Sequence, residues 1–150
     1  KLFKIFKFRT MVNNADNIGT QVTTKNDDRV TAVGMFLRKY RLDEIPQLLN
    51  IILGDMSFVG TRPEVVKYVD KYTDEMIATL LLPAGVTSEA SIQYKDEELL
   101  LASAQNADET YVNKVLPEKM KYNLRSLETF SLFSEIRIMF STLGAVINRG

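Results

Sequence analysis

The chain has no cysteine, no histidine and no tryptophan. Each of the first two absences removes a class of chemistry. Without histidine there is no Ser-His-Asp triad, no Cys-His pair and no imidazole general base. Without cysteine there is no thiolate nucleophile, no iron–sulfur cluster and no thiolate zinc site. Any metal must then be held by oxygen, which favours a hard cation such as Mg²⁺. Enzyme chemistry would have to run on carboxylates, lysine, arginine, tyrosine or hydroxyls. Charge of one sign is missing too: 19 Lys plus Arg balance 19 Asp plus Glu. The chain therefore carries no global basic footprint, and nucleic acid is not an expected partner. No run of about 18 apolar residues occurs, so no segment reads as a membrane span. No small-residue cleavage site follows the basic opening KLFKIFKFR, so no secretory signal is expected.

What is present is ordinary for a folded domain: 150 residues, 45% hydrophobic and 25% charged. A chain of this length buries roughly two thirds of its unfolded surface without a disulfide or metal staple. It does not begin with Met and opens mid-pattern, which reads as a piece of a longer protein. The expected class is α+β, mostly helical with a few short strands, in a single compact domain. Residues 2–11 (LFKIFKFRTM) alternate as a strand, and 12–29 read as a polar loop or a short broken helix. Thr31 caps a helix over 32–40, with Val33, Phe36, Leu37 and Tyr40 on its apolar face. Asp43 caps a second helix over 44–53, whose core face is Ile45, Leu48, Leu49 and Ile52 and whose stop is Gly54. A short strand and a glycine loop follow in GDMSFVGTRP. Pro63 starts a third helix through Tyr72, and Thr73 opens a fourth that ends before Pro83. Residues 83–94 read as irregular or short strand, and further helices cover 96–103, 108–115, 117–127 and 131–147.

The strongest local candidate for chemistry is Asp43-Glu44 at a helix start. The positive end of a helix dipole favours ionised carboxylates there. An ionised Asp is a competent nucleophile, and a neighbouring Glu can hold Mg²⁺ through its oxygens. The bland alternative is a cap and a decorated first turn. Asp74-Glu75 and Asp108-Glu109 are further dyads at helix starts, so a dyad alone does not mark a site. Basic residues surround the first pair: Arg38 before it, Lys7 and Arg9 on the first strand, and Arg62 in Gly60-Thr61-Arg62-Pro63. A glycine loop with arginine suits phosphate, while the alternative is a set of solvated charges. The apolar last helix is expected to pack on the core; lying on a membrane surface is its alternative. Asp96-Glu97-Glu98 reads as a solvated helix start.

Three stretches together resemble a known family: KFRTM (7–11), DDRVTAVGMFLRKYRLDEIPQLLNIILGDMSFVGTRPE (27–64) and LLPAGVTSEASIQYKDEELL (81–100). They look like the bacterial sugar transferases, the monotopic polyprenyl-phosphate phosphoglycosyltransferases. The resemblance implies transfer of a phosphosugar from a nucleoside diphosphate sugar to polyprenyl phosphate, with Mg²⁺ and a covalent aspartyl-phosphosugar intermediate. It implies Asp43 as nucleophile and Glu44 as its Mg²⁺-linked acidic partner. It implies Lys7, Arg38 and Arg62 as phosphate-binding residues. It also implies a place at the cytoplasmic face of the bacterial inner membrane, through an N-terminal re-entrant helix that precedes this sequence. The family's usual Pro-Arg-Pro reads Thr61-Arg62-Pro63 here, and its Pro-Gly-(Ile/Val)-Thr reads Pro83-Ala84-Gly85-Val86-Thr87. Near the end, Ser134-Glu135 stands where the family often has Asp. Two other readings remain: a non-catalytic paralogue that binds nucleotide sugar or scaffolds a glycan assembly complex, and a helical interaction module.

Overall fold

Side-chain caps start several of the helices, as their sequences predict. The computed structural model describes residues 2–15, 18, 23 and 27–147. In α1 (Ala32–Lys39) the Thr31 hydroxyl accepts from the Gly34 N–H at 3.0 Å. A 3₁₀ turn, Leu42–Glu44, and α2 (Gln47–Ile52) follow, then β1 (Met56–Val59) and α3 (Val66–Val69). Thr73 caps α4 (Asp74–Ile77), β2 spans Ala84–Thr87, and Ser88 caps α5 (Glu89–Gln93). The remainder is helical: α6 (Glu97–Ala102), α7 (Ala107–Thr110), a π segment (Tyr111–Val115), α8 (Leu116–Glu128) and α9 (Leu132–Ile147). This is the expected α+β class, mostly helical with short strands.

β1 and β2 pair in parallel, with Met56 opposite Ala84, Ser57 opposite Gly85 and Val59 opposite Thr87. The pairing continues past β1 because Gly60 N–H donates to the Thr87 carbonyl at 3.0 Å. Gly85 permits this approach: a Cβ there would sit 2.1 Å from the Gly60 nitrogen. The core forms on the other side of the chain, where Tyr68, Leu101, Tyr111, Val115, Leu116 and Met120 pack together.

Several expectations are corrected. Residues 2–10 are extended but form no regular strand; Met11 makes a single antiparallel bridge to Val30. The reason is local, since the Asn50 side chain claims the Lys4 carbonyl and the Phe6 N–H. The 12–29 loop falls partly outside the described residues. Asp43 does not cap a helix over 44–53. Arg41 takes a left-handed conformation (φ 55°), Asp43 lies inside the 3₁₀ turn, and Pro46 precedes α2. Pro63 starts no helix, and the third helix is the single turn of α3. In the 83–94 stretch the expected short strand is present as β2, and the helix α5 that follows it was not expected.

The largest correction concerns faces. Ile45, Leu48, Leu49 and Ile52 point outward, and the buried residues of α2 are Gln47 and Asn50. In α1, Val33 and Phe36 are likewise exposed. No residue of α9 is buried, with Phe133 at 80% and Phe140 at 69% exposure. The last helix does contact β1, β2 and α5 and half-buries Ile138, Met139 and Val146, but it buries no residue fully and leaves Leu132, Phe133, Phe140 and Leu143 exposed.

Candidate active site

Four segments converge on one cavity. The extended segment at 4–10 is stitched to the α1–α2 region by backbone and side-chain bonds. Asn50 donates to the Lys4 carbonyl at 2.8 Å and accepts from Phe6 N–H at 2.9 Å. Phe8 N–H donates to the Asp43 carbonyl at 3.0 Å. Thr10 lies directly against Gly34, where a Cβ would come within 2.0 Å of the Thr10 carbonyl oxygen. That contact lets Arg38 Nε donate to the Thr10 hydroxyl at 3.0 Å. Lys7, Arg38 and the 3₁₀ turn carrying Asp43 and Glu44 are thereby held beside one another.

The third segment is the loop after β1. Gly85 N–H donates to the Thr61 carbonyl at 3.0 Å and fixes the loop to β2. Arg62 then donates to the Val86 carbonyl at 3.2 Å and to both oxygens of Glu44, 3.1 Å at Oε2 and a short contact at Oε1. Arg41 Nη1 lies 3.6 Å from Glu44 Oε2 and Lys7 Nζ 3.9 Å from Oε1. The fourth segment, α5 through α8, supplies Ser91, Tyr94, Lys95, Glu97, Tyr111 and Lys119.

The cavity holds about 270 Å³ and brings together all five residues singled out by sequence: Lys7, Arg38, Asp43, Glu44 and Arg62. It is lined by six basic residues (Lys7, Arg38, Arg41, Arg62, Lys95, Lys119) and four acidic ones (Asp43, Glu44, Glu64, Glu97). The excess of two positive charges suits a diphosphate. Arg9 is not part of it and donates instead to Asn13 at 2.6 Å. The other dyads lie elsewhere: Asp108 holds Lys67 and the Tyr68 hydroxyl, and Asp74-Glu75 opens α4.

The two adjacent carboxylates are driven in opposite directions. Burial raises the Asp43 pKa, and the neighbouring Glu44 charge adds to this against Lys7 and Arg38. Burial alone would raise Glu44 as well, but the Arg62, Arg41 and Lys7 charges outweigh it and hold Glu44 down at about 2. Glu44 is thus a fixed charge, and Asp43 a more basic carboxylate with no arginine fork on it. Among the described residues no group of three or more acidic side chains forms a ready-made metal cage. The pair fits Mg²⁺ in the usual manner of that ion, which takes one or two carboxylates and completes its shell with water and substrate phosphate. Arg62 uses one lone pair on each Glu44 oxygen, and a carboxylate oxygen has two.

Sequence reading missed Glu64, Tyr111 and Lys119, and it placed Glu97 in solvent. Lys119 donates to Glu97 at 2.9 Å and is itself buried. The available signal was Glu64 directly after Arg62-Pro63. Tyr111 and Lys119 were obscured because they were assigned to separate helices. The π segment Tyr111–Val115, which carries Tyr111 itself, changes the phase of the chain ahead of Lys119 on α8.

The family described as bacterial sugar transferase matches residues 1–149. The chain is 33% identical over 149 residues to an Aeromonas hydrophila UDP-N-acetylgalactosamine-undecaprenyl-phosphate N-acetylgalactosaminephosphotransferase, covering 97% of this chain and 32% of that protein. It is 33% identical over 164 residues to a Salmonella typhimurium undecaprenyl-phosphate galactose phosphotransferase, covering 99% and 31%. It is 35% identical over 164 residues to the Rhizobium meliloti exopolysaccharide production protein ExoY, covering 99% and 66%. The chain therefore spans about a third of the length of the first two relatives.

Proposed function

Because the chain belongs to the bacterial sugar transferase family, we propose that it transfers a phosphosugar from a UDP-sugar to polyprenyl phosphate through a covalent aspartyl-phosphosugar intermediate. The reaction would be the first membrane step in assembling a surface glycan, at the cytoplasmic face of the bacterial inner membrane. The observation that carries this reading is Asp43, buried beside a charge-neutralised Glu44 in a cavity with surplus positive charge.

In this reading an Asp43 carboxylate oxygen attacks the phosphorus bonded to the sugar. The bond from that phosphorus to the bridging oxygen breaks, and nucleoside monophosphate leaves with the electron pair. An oxygen of polyprenyl phosphate then attacks the same phosphorus and frees the Asp43 carboxylate, giving a polyprenyl diphosphosugar. Lys7 and Arg38 bind the diphosphate, while Arg62 keeps Glu44 ionised and fixed. Glu44 would hold Mg²⁺, which when bound supplies neutralisation of phosphate charge. No histidine is needed, because nothing in the exchange requires a proton to be removed from the attacking group.

Two surface features support a lipid acceptor. An apolar groove of about 230 Å³, walled by Ile45, Leu48, Phe58, Ile92 and Val146, shares Arg41, Glu44 and Lys95 with the cavity. A phosphate at the cations can therefore trail an apolar chain along this groove. The outward apolar faces of α1, α2 and α9 suit a bilayer surface. Among the described residues no helix is long and apolar enough to cross a membrane.

The test is release of nucleoside monophosphate by the native-length protein from a panel of UDP-sugars, with polyprenyl phosphate and Mg²⁺. Asp43-dependent release, and a phosphosugar adduct on the peptide containing Asp43, are expected. A folded protein that turns over without that adduct overturns the covalent mechanism. One that binds nucleotide sugar without releasing nucleotide is the non-catalytic paralogue.

A further inference from the structure

The cavity has a second lining that the reaction above leaves without a part. The Tyr111 hydroxyl donates to Glu64 Oε1 through a short contact. It accepts from Lys119 Nζ at 3.2 Å, and Lys119 also donates to Glu97 Oε2 at 2.9 Å. Lys119 Nζ stands 3.6 Å from Glu64 Oε1. The Tyr68 ring braces Tyr111 at 4.7 Å between centroids. Lys119 and Tyr111 are buried, and the Glu64 side chain is only 12% exposed.

Charges set as deep as Lys119 and Glu64 are costly, and well-packed apolar residues are often at least as stable in their place. Their retention at a cavity wall points to a ligand. So does the π segment that carries Tyr111, because such segments recur at functional sites. No described residue hydrogen-bonds Glu64 Oε2, whereas every fully buried side-chain oxygen described has a partner. Oε2 therefore reaches open space, and the space Glu64 lines is the cavity.

The charge on this lining also decides what it can take. Glu64 and Glu97 are balanced here by Lys119 and by Arg62, which Glu44 already holds, so this lining has no surplus positive charge and a phosphate is drawn to the Lys7–Arg38 side. What remains is the uncharged, hydroxyl-bearing part of a donor, which needs acceptors, a donor and ring surface together. We propose that Glu64, Glu97, Tyr111 and Lys119 form the subsite for the sugar ring and set which sugar is accepted. This inference rests on the transferase reading. The sugar rather than the nucleoside is assigned because it is bonded to the phosphorus that Asp43 attacks. It must also be held through both half-reactions, whereas the nucleotide departs after the first.

The experiment compares native-length wild type with Tyr111→Phe and Glu97→Gln on pairs of UDP-sugars that differ at one hydroxyl. Thermal unfolding of each variant checks that it is folded, and Glu97→Gln keeps the test open should Tyr111→Phe fail to fold. The expected result is a change of about tenfold or more in the ratio of kcat/KM between paired sugars. Inhibition by UMP should stay unchanged. An equal loss on every sugar, with the ratio fixed, is a structural effect and overturns the proposal. A fixed ratio with altered UMP inhibition assigns the lining to the nucleoside and also overturns it. If wild type shows no Asp43-dependent release, the transferase reading has failed separately. Saturation-transfer NMR with the same UDP-sugars then decides. Sugar-proton saturation that Glu97→Gln removes supports the subsite, and saturation confined to nucleoside protons overturns it.

Discussion

Two regions of the molecule use the same helical period for opposite purposes. Around Tyr68, Leu101, Tyr111, Leu116 and Met120, the apolar stripes of α3, α6, α8 and the π segment turn inward. In α1 and α2, and on the Phe133–Phe140 side of α9, apolar residues turn outward, and the residues that α2 buries are Gln47 and Asn50. Periodicity reports that a helix has an apolar face; it does not report which medium that face meets. The polar atoms inside the second region disclose the reversal. Asn50 is fully buried because it replaces a neighbouring strand for Lys4 and Phe6.

The comparison breaks most visibly in core truncation. Leu116→Ala is expected to cost about 2–5 kcal/mol in denaturant unfolding, whereas Leu49→Ala on the outward face of α2 costs under about 0.5 kcal/mol. Equal losses would mean that both regions are ordinary core.

The next test lies at the seam, where charge rather than apolar area is buried. Glu44 has its pKa held at about 2 against an ordinary 4.5, so it binds fewer protons folded than unfolded. Its contribution, about 3 kcal/mol, is fully present above pH about 4.5 and is lost as pH falls toward 2. Unfolding free energy in metal-free buffer should fall across that window, and Glu44→Gln should be flatter there and less stable at neutral pH. Asp43 shifts the other way. Burial holds its proton to a higher pH than the ordinary 3.8, so a pH–rate profile that depends on ionised Asp43 should climb at a pH above that value.

A smaller loss is expected at the polar interior of α2. Asn50→Ala leaves the Phe6 N–H and Lys4 carbonyl without their partner and should cost about 2 kcal/mol. Activity should fall further than stability alone explains, because Lys7 sits on the released segment. The smallest stability effect belongs to the outward faces. Leu49→Glu and Phe140→Glu should each change unfolding by under about 0.5 kcal/mol while weakening sedimentation with phospholipid vesicles. Unchanged vesicle binding would remove the membrane reading of these faces.

Much of this was legible from local chemistry. Thr31 and Thr73 cap the helices their hydroxyls predicted, and α9 occupies nearly its expected range. Asp43, Glu44, Lys7, Arg38 and Arg62 meet in one cavity. What was not legible depends on tertiary partners. The alternation in residues 2–11 is real, but the Asn50 side chain and isolated backbone bonds from Asp43 and Thr31, rather than a strand partner, satisfy that backbone. Asp43 has the chemistry of a cap, yet the left-handed Arg41 moves the helix start to Gln47. Arg62 reads as a phosphate ligand, whereas both Glu44 oxygens hold it. Glu64, Tyr111 and Lys119 come together only across distant segments and a π segment that no spacing rule reveals.

The parallel pairing of β1 with β2 has a consequence in time. A parallel pair has no tight turn to start it, and residues 60–83 must be made and packed before its first ladder bond can form. Arg62 needs the Val86 carbonyl for its anchor and Glu44 for its fork. During synthesis Asp43 and Glu44 therefore leave the ribosome well before the arginine that grips Glu44 can be fixed, and Lys119 emerges later still. A chain interrupted before β2 carries Asp43 but not the wall that neutralises its neighbour. The charge balance around Asp43 and Glu44 is thus completed only when β2 is in place.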